Sequence, residues 1–170
     1  MMLNLWNDPV LLGFLYAYVI MIGACEGSFA SAVSYRVARG QSWIFSDKKG
    51  SSQKSGAARS ACPTCGHQLA WFDLIPILSW CASIGRCRYC RSPISMRYPA
   101  IEVIGAFALS GFVYVAQDVL LIVVCALTLP FALTAALLWK EKSCVPRYIL
   151  WLTIGHLALW IFASIRWVLG

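Results

Sequence analysis

Four long apolar runs limit what this chain can fold into. They cover roughly residues 9–33, 99–116, 119–138 and 148–168. Each is long enough for an α-helix to cross a hydrocarbon core of about 30 Å. The composition agrees, because 60% of the 170 residues are hydrophobic and only 12% are charged, and a soluble domain of this size could not bury so much apolar surface. The sequence therefore predicts an all-α polytopic membrane protein with about four transmembrane helices.

The apolar runs divide the chain into three parts. Residues 1–33 are the first transmembrane segment, residues 34–98 are the only extramembrane region large enough to fold, and residues 99–170 hold three further transmembrane helices. The second and third runs are separated only by Ala116-Gln-Asp118, which predicts a tight helical hairpin. Residues 46–60 are rich in Ser, Gly and Lys, which is typical of a flexible insertion.

Positive charge is concentrated in two of the predicted loops. Ten of the 14 Lys and Arg residues lie from Arg36 to Arg97, and three more lie between the third and fourth runs. The positive-inside rule therefore places both loops in the cytoplasm and both termini outside. The remaining basic residue, Arg166, lies near the C-terminal end, where its long side chain can reach the membrane–water interface. The basic residues form no aromatic-interleaved patch, so we expect a lipid bilayer and no nucleic acid as partner.

The first loop contains two Cys-x-x-Cys pairs, Cys62-Pro-Thr-Cys65 and Cys87-Arg-Tyr-Cys90, with 21 residues between them. Each x-x turn brings two sulfurs to the same side, so that four thiolates can converge on one tetrahedral Zn²⁺. A cytoplasmic loop is kept reduced, which favours a metal over disulfides; redox-active or unligated thiols are the alternative. We expect a structural zinc ribbon over about residues 60–92, with these four cysteines as ligands.

The segment between the two pairs is unusually apolar. Residues 71–85 hold Trp71, Phe72, Leu74, Ile75, Ile77, Leu78 and Trp80. Such side chains on a small zinc domain predict a finger that rests on the membrane face or on the helices, and a packed mini-core is compatible with either. His67 follows the first pair, but four cysteines already complete a ligand shell, so we expect it at the surface or beside the ligands.

Several short motifs occur in a fixed order along the first two thirds of the chain. They are Gly27-Ser28-Phe29 with Arg36 ending the first run, Cys62-Pro-x-Cys65-Gly-His67, Asp73-Leu-Ile-Pro76-Ile-Leu-Ser79-Trp80, Gly85-Arg-Cys87-Arg-Tyr-Cys90 and Ile94-Ser-x-Arg97-Tyr98-Pro99-x-x-Glu102. In this order and spacing, roughly residues 15 to 105 resemble the N-terminal half of the type IV prepilin leader peptidase/N-methyltransferase family.

That resemblance implies a bacterial inner-membrane enzyme that serves type IV pilus or type II secretion assembly. Members of the family cut the leader from prepilins and pseudopilins on the cytoplasmic side. They then methylate the new N-terminal amine with S-adenosylmethionine. The resemblance therefore implies prepilin or pseudopilin substrates and S-adenosylmethionine as a cofactor, beside the Zn²⁺ expected from the cysteines.

The chain departs from the family at the peptidase aspartates. The family uses one aspartate in a segment after a span and another in a Gly-x-Gly-Asp motif. This sequence has no Gly-x-Gly-Asp, and its four aspartates lie elsewhere, at Asp8, Asp47, Asp73 and Asp118. Residues 139–147 still resemble the segment of the first aspartate, but Trp139 or Lys140 stands in its place. Since an aspartyl protease needs two carboxylates that share a proton, we expect no peptidase activity from this chain.

Glu102 and Gly85 are the candidate residues for methyl transfer. An ionisable group at this depth is a functional-site hypothesis by default, and an ion pair of Glu102 with Arg97 or Arg36 that fixes helix packing is an equally weighted alternative. Gly85 matches a glycine that the family links with methyl transfer, but a turn before the second knuckle would also explain it.

Two further positions depart from the family pattern. Glu26 stands where the family has an apolar residue, and Ser31 stands where asparagine is common. No role is transferred to Glu26.

Two functional hypotheses follow. In the first, the chain is a stand-alone prepilin N-methyltransferase module that works beside a separate aspartyl peptidase subunit. In the second, it is a non-catalytic, degenerate homologue that binds prepilin or assists such a partner, and complementation in trans by a peptidase chain is a further possibility.

Overall fold

A computed structural model describes residues 8–41, 59–116, 118–141 and 143–169. These segments form α1 (Pro9–Val37), a short 3₁₀ helix (Trp71–Leu74), α2 (Leu78–Ala82), α3 (Arg97–Ala116), α4 (Val119–Lys140) and α5 (Arg147–Leu169). Helices α1, α3, α4 and α5 are long and apolar enough to cross a membrane. The predicted all-α class with four such helices is confirmed. Most of the predicted flexible insertion, residues 46–58, lies outside the described residues.

Local signals set the ends of these helices. At the start of α1, the Asp8 carboxylate accepts the N–H groups of Val10 and Leu11 at 2.9 and 3.3 Å, which satisfies donors that the first turn leaves unpaired. Asp118 caps α4 in the same way through Leu121. Helix α1 ends at Val37, four residues beyond the predicted run, because the polar residues after residue 33 do not break a helix and the first left-handed residue is Gly40.

Helices α1 and α3 cross with their backbones in direct contact. A Cβ atom at Gly23 would lie 2.5 Å from the Gly105 carbonyl oxygen, and one at Gly27 would lie 2.5 Å from the Ile101 carbonyl oxygen. Real Cβ atoms do not come this close to a carbonyl oxygen, so only glycine permits the crossing. Small residues spaced four apart are a known way for membrane helices to approach each other.

Helices α4 and α5 complete the bundle around this pair. Phe112 on α3 is fully buried and meets Trp160 of α5 edge-on, with ring centroids 5.1 Å apart. The main buried apolar cluster consists of Val19, Leu109, Phe112, Val113, Cys125, Leu129 and Ala163. All four long helices contribute to this cluster, so the bundle is one packed unit.

We predict that Gly27→Ala destabilises the bundle although alanine is the better helix former by roughly 1 kcal/mol. The added methyl group must push α3 away, and an overpacked core position costs about 1–3 kcal/mol. Gly13→Ala is the matched control, because Gly13 lies in the same helix with nothing within 4 Å of its would-be Cβ. Thermal unfolding in detergent measures both variants. Equal midpoints for the two would contradict the close contact.

Candidate metal centre and adjoining cavity

The two cysteine pairs form matching turns. The N–H of Cys62 donates to the carbonyl of His67 at 2.9 Å, and the N–H of Cys87 donates to the carbonyl of Ser92 at 2.8 Å. Each turn is flanked by an isolated β-bridge, Ala61 with Gln68 in the first and Arg86 with Pro93 in the second. The spacing Cys-x-x-Cys thus builds the same turn twice, as zinc knuckles require.

The four sulfur atoms of Cys62, Cys65, Cys87 and Cys90 all lie within 4.8 Å of one another. Tetrahedral coordination with Zn–S bonds of about 2.3 Å would place sulfurs roughly 3.8 Å apart, and the Sγ atoms of Cys62 and Cys90 are 3.9 Å apart. The backbone N–H of Cys65 stabilises the Cys62 thiolate and helps lower the pKa of this thiol to about 6. The cluster could therefore hold a metal ion, and its donor set suits a thiophilic one.

The other four cysteines lie apart from this cluster. All eight cysteines are in described segments and none forms a disulfide. Cys125 is buried in the bundle as a small apolar side chain, whereas Cys25, Cys81 and Cys144 are exposed.

Asp73 joins the finger to the second knuckle. Its carboxylate accepts hydrogen bonds from the N–H of Ala70 at 3.2 Å, from Nε of Arg88 at 3.1 Å and from the hydroxyl of Tyr89 at 2.9 Å. The bond to Asp73 raises the pKa of Tyr89. The Tyr89 ring in turn stacks on His67, with ring centroids 3.6 Å apart. His67 thus lies beside the cysteine cluster and packs the two knuckles together.

Gly85 and Trp80 are in direct contact at the base of the finger. Gly85 has a φ of 63°, and its N–H donates to the Trp80 carbonyl at 2.9 Å. A Cβ atom at Gly85 would lie 2.7 Å from Cζ2 of the indole. The indole Nε1–H donates to the carbonyl of Ile94 at 3.2 Å, which holds the ring in this place.

Glu102 ties the finger to α3. Its side chain is buried at 8% exposure, and its Oε2 accepts the N–H of Ile77 at 2.6 Å. The Ser28 side chain of α1 also hydrogen-bonds this carboxylate. Arg97, one of the two predicted ion-pair partners of Glu102, instead pairs with Glu141 at the end of α4. The carboxylate therefore holds loop backbone, a role that the sequence did not predict.

A cavity of about 630 Å³ lies between the ribbon and the ends of α1 and α3. It brings together residues from all the sequence motifs; its lining includes Ser28, Ser31, Tyr35, Arg36, Arg59, Cys62, Asp73, Trp80, Arg86, Cys87, Arg88, Tyr98 and Glu102. We call it the ribbon cavity. Ser31 is buried there, with its hydroxyl donating to the Gly27 carbonyl at 3.1 Å. Of the two candidate residues, Glu102 lines the cavity, while Gly85 lies behind Trp80.

Two polar features inside the helices were not predicted. His156 of α5 is buried, and its Nδ1 lies 2.9 Å from Oγ1 of Thr128 on α4. Glu26 has one carboxylate oxygen that is buried without a hydrogen-bond partner among the described residues. The buried contact of His156 could have been suspected from the sequence, because a histidine within an apolar run is an ionisable group inside the membrane. The Gly23-x-x-x-Gly27 spacing was likewise a readable signal for the helix crossing.

Comparison with known proteins identifies relatives of this region. Residues 21–116 match the family model described as the bacterial peptidase A24 N-terminal domain. A prepilin leader peptidase/N-methyltransferase of Myxococcus xanthus is 42% identical over 97 residues, which cover 56% of this chain and 25% of that protein. A prepilin leader peptidase/N-methyltransferase of Burkholderia pseudomallei is 36% identical over 118 residues, which cover 58% of this chain and 38% of that protein. The chain thus spans less than two fifths of the length of these relatives. No solved structure matches.

We predict that the purified protein carries one metal ion per chain and that Cys62→Ser or Cys87→Ser removes most of it, because a hydroxyl is a much poorer ligand than a thiolate for a thiophilic ion. Elemental analysis of the purified chain measures the content. Cys81→Ser and Cys144→Ser are the matched controls, since both thiols are exposed and outside the cluster. Metal content unaffected by Cys62→Ser would refute the site.

Proposed function

The chain belongs to the family of the bacterial peptidase A24 N-terminal domain, and on that premise we propose that it is an S-adenosylmethionine-dependent N-methyltransferase module for prepilins or pseudopilins. The relatives that it matches are named prepilin leader peptidase/N-methyltransferase. In this proposal the chain works in pilus or type II secretion assembly, and a separate subunit supplies the peptidase.

The ribbon cavity is the observation that carries the proposal. Ligand sites usually occupy clefts of roughly 300–1,000 Å³ with few convergent polar groups, and this cavity of about 630 Å³ lies within that range. Tyr35, Trp80 and Tyr98 give it aromatic walls, and its arginines offer partners for a carboxylate. These residues fit S-adenosylmethionine, which combines a purine, a sulfonium and an amino-acid carboxylate.

When bound, the donor supplies the methyl group: the amine lone pair forms the N–C bond while the S–C bond breaks, leaving S-adenosylhomocysteine. An N-terminal amine has an ordinary pKa of about 8, so a useful fraction loses its proton to water before the attack. This chain's residues then need only to bind and align the two reactants, which alone lowers the barrier considerably. Ser28 and Ser31 line the cavity on the α1 side, where their hydroxyls can orient a bound amine.

Glu102 acts as a positioning residue in this proposal. Its Oε2 is already engaged by the Ile77 N–H at 2.6 Å, so the carboxylate fastens the finger that roofs the cavity. Proton transfer by this group is not needed for methylation of a neutral amine.

Zn²⁺ is the metal that we propose for Cys62, Cys65, Cys87 and Cys90, with a structural role. Four thiolates leave no open position for substrate. We further propose that the ribbon faces the cytoplasm and that both termini lie outside, in the bacterial inner membrane, because ten basic residues lie in the first loop.

Peptidase activity is not part of the proposal. These 170 residues contain no Gly-x-Gly-Asp, and Trp139 or Lys140 stands where the first aspartate would be. A non-catalytic homologue that binds prepilin is the second candidate function. It is favoured by Ser31 in place of the family's asparagine and by Glu26, which has a buried carboxylate oxygen with no hydrogen-bond partner in the described part of the chain.

Methyl transfer is tested with purified, metal-loaded protein, a pre-cleaved pilin peptide and methyl-labelled S-adenosylmethionine. We expect label on the peptide's N-terminal amine and none on a peptide whose amine is acetylated. Uncleaved prepilin should remain uncut. Absence of label with metal bound and the fold intact would support the non-catalytic candidate instead, and cleavage of prepilin would show that the missing aspartates were misread.

We predict that Glu102→Gln retains most of the methylation whereas Glu102→Ala lowers it about tenfold or more. Glutamine keeps a carbonyl oxygen for the Ile77 N–H, but alanine leaves that donor unpaired, at a cost of roughly 1–3 kcal/mol. Initial rates of label transfer measure the effect. A Glu102→Gln variant as inactive as Glu102→Ala, with metal content unchanged, would assign the carboxylate a direct chemical role.

A further inference from the structure

Gly85 does not line the ribbon cavity, but it is in direct contact with Trp80, which does. We infer that the Trp80 indole is a wall of the site for the purine and sulfonium of the methyl donor, and that Gly85 positions this wall. The inference rests on the proposed function and assigns to it two residues with separate roles: Trp80 touches the ligand, and Gly85 acts only through Trp80.

The positive φ of Gly85 does not by itself require glycine. Ile77, Ile84 and Arg91 in the same ribbon have φ values of 63°, 54° and 60°. Each of these residues carries a side chain, so the ribbon accepts L-residues at positive φ despite the strain of that conformation. A second constraint must therefore act at Gly85.

The indole of Trp80 supplies that constraint. A Cβ at Gly85 would lie 2.7 Å from Cζ2 and 3.0 Å from Cε2 of the ring, which is closer than side chains pack. The ring has no easy way to retreat, because its Nε1–H is bonded to the Ile94 carbonyl at 3.2 Å. The Gly85 N–H also donates to the backbone carbonyl of Trp80. A methyl group at position 85 would therefore displace the indole, which is part of the cavity wall.

An indole at this place suits the donor's chemistry. Trp80 lines the ribbon cavity together with Tyr35 and Tyr98. Tryptophan offers the best aromatic face for a cation, and an indole also stacks favourably on a nucleobase. A shifted indole would lose these contacts.

The test measures binding of S-adenosylhomocysteine and S-adenosylmethionine by calorimetry, without any turnover. We expect Gly85→Ala to weaken binding about tenfold or more, Trp80→Leu to weaken it about tenfold, and Trp80→Phe to retain most of it. Gly66→Ala is the matched control: Gly66 has a φ of 70° in the same ribbon with nothing within 4 Å of its would-be Cβ. We expect this control to bind within about threefold of wild type, because the substitution adds a methyl group in open space away from the cavity wall.

A double mutant separates a positioning role from an independent one. If Gly85 acts through the indole, Gly85→Ala should cause little further loss in the Trp80→Leu background, because the clash is gone. The same fold loss in both backgrounds would overturn the positioning role. Metal content and thermal unfolding are measured for each variant. If Gly85→Ala fails to fold, the comparison of Trp80→Phe with Trp80→Leu decides whether the indole is a wall of the site.

The outcomes also distinguish this inference from the proposed function. A wild-type protein that binds neither compound overturns the proposed function and the inference with it. Wild-type binding that survives unchanged in Trp80→Leu and Gly85→Ala overturns the inference alone, and methylation of the pilin peptide would then still stand.

Discussion

The backbone contact between α1 and α3 is the constraint on which the rest of the structure depends. Gly27 lies against the backbone of Ile101 and Glu102, and Gly23 lies against that of Gly105. In a bilayer, lipid competes equally well for apolar side chains, so helix association relies on close packing and interhelical polar contacts. Glycine provides the closest packing because two backbones can meet without intervening side chains. The crossing therefore fixes the distance and the register of the two helices together.

The crossing of α1 and α3 also sets the position of the ribbon cavity. Gly27 lies against the backbone of α3 at Glu102. The next residue, Ser28, is therefore close enough for its side chain to hydrogen-bond the Glu102 carboxylate. That carboxylate also accepts the Ile77 N–H, so the finger is fastened at the level where the two helices meet. The ribbon cavity lies between the finger and the helix ends for this reason. A metal in the cysteine cluster would make the ribbon rigid at one end, while Glu102 anchors it at the other.

Sequence patterns predicted the elements of this fold better than the contacts between them. The apolar runs indicated all four long helices, because length and hydropathy are local properties, and the two Cys-x-x-Cys pairs indicated that four sulfurs would meet. The partner of Glu102 could not be predicted, since a backbone N–H such as that of Ile77 leaves no mark in the sequence. The pairing of Arg97 with Glu141 joins residues 44 positions apart, a separation that no local pattern reveals. The sequence predicted a turn at Gly85. Its contact with Trp80 could not be predicted, because it depends on an indole ring that the Ile94 carbonyl holds in place.

Under the proposed function, the charge of the ribbon cavity bears on how an amine becomes a nucleophile there. Among the described residues, Arg36, Arg59, Arg86 and Arg88 line it beside only two carboxylates, and Asp73 and Glu102 are both already engaged by hydrogen bonds. Cys62 and Cys87 also line the cavity, and four thiolates around a divalent zinc ion carry a net charge of about −2. Together with the two carboxylates, this charge balances that of the four arginines, one of which, Arg88, already pairs with Asp73. The arginines can therefore bind the carboxylate of the donor, while the indole face and the nearby negative charge attract its sulfonium. The cavity can thus accept the donor beside an amine that has lost its proton to water, without a dedicated base.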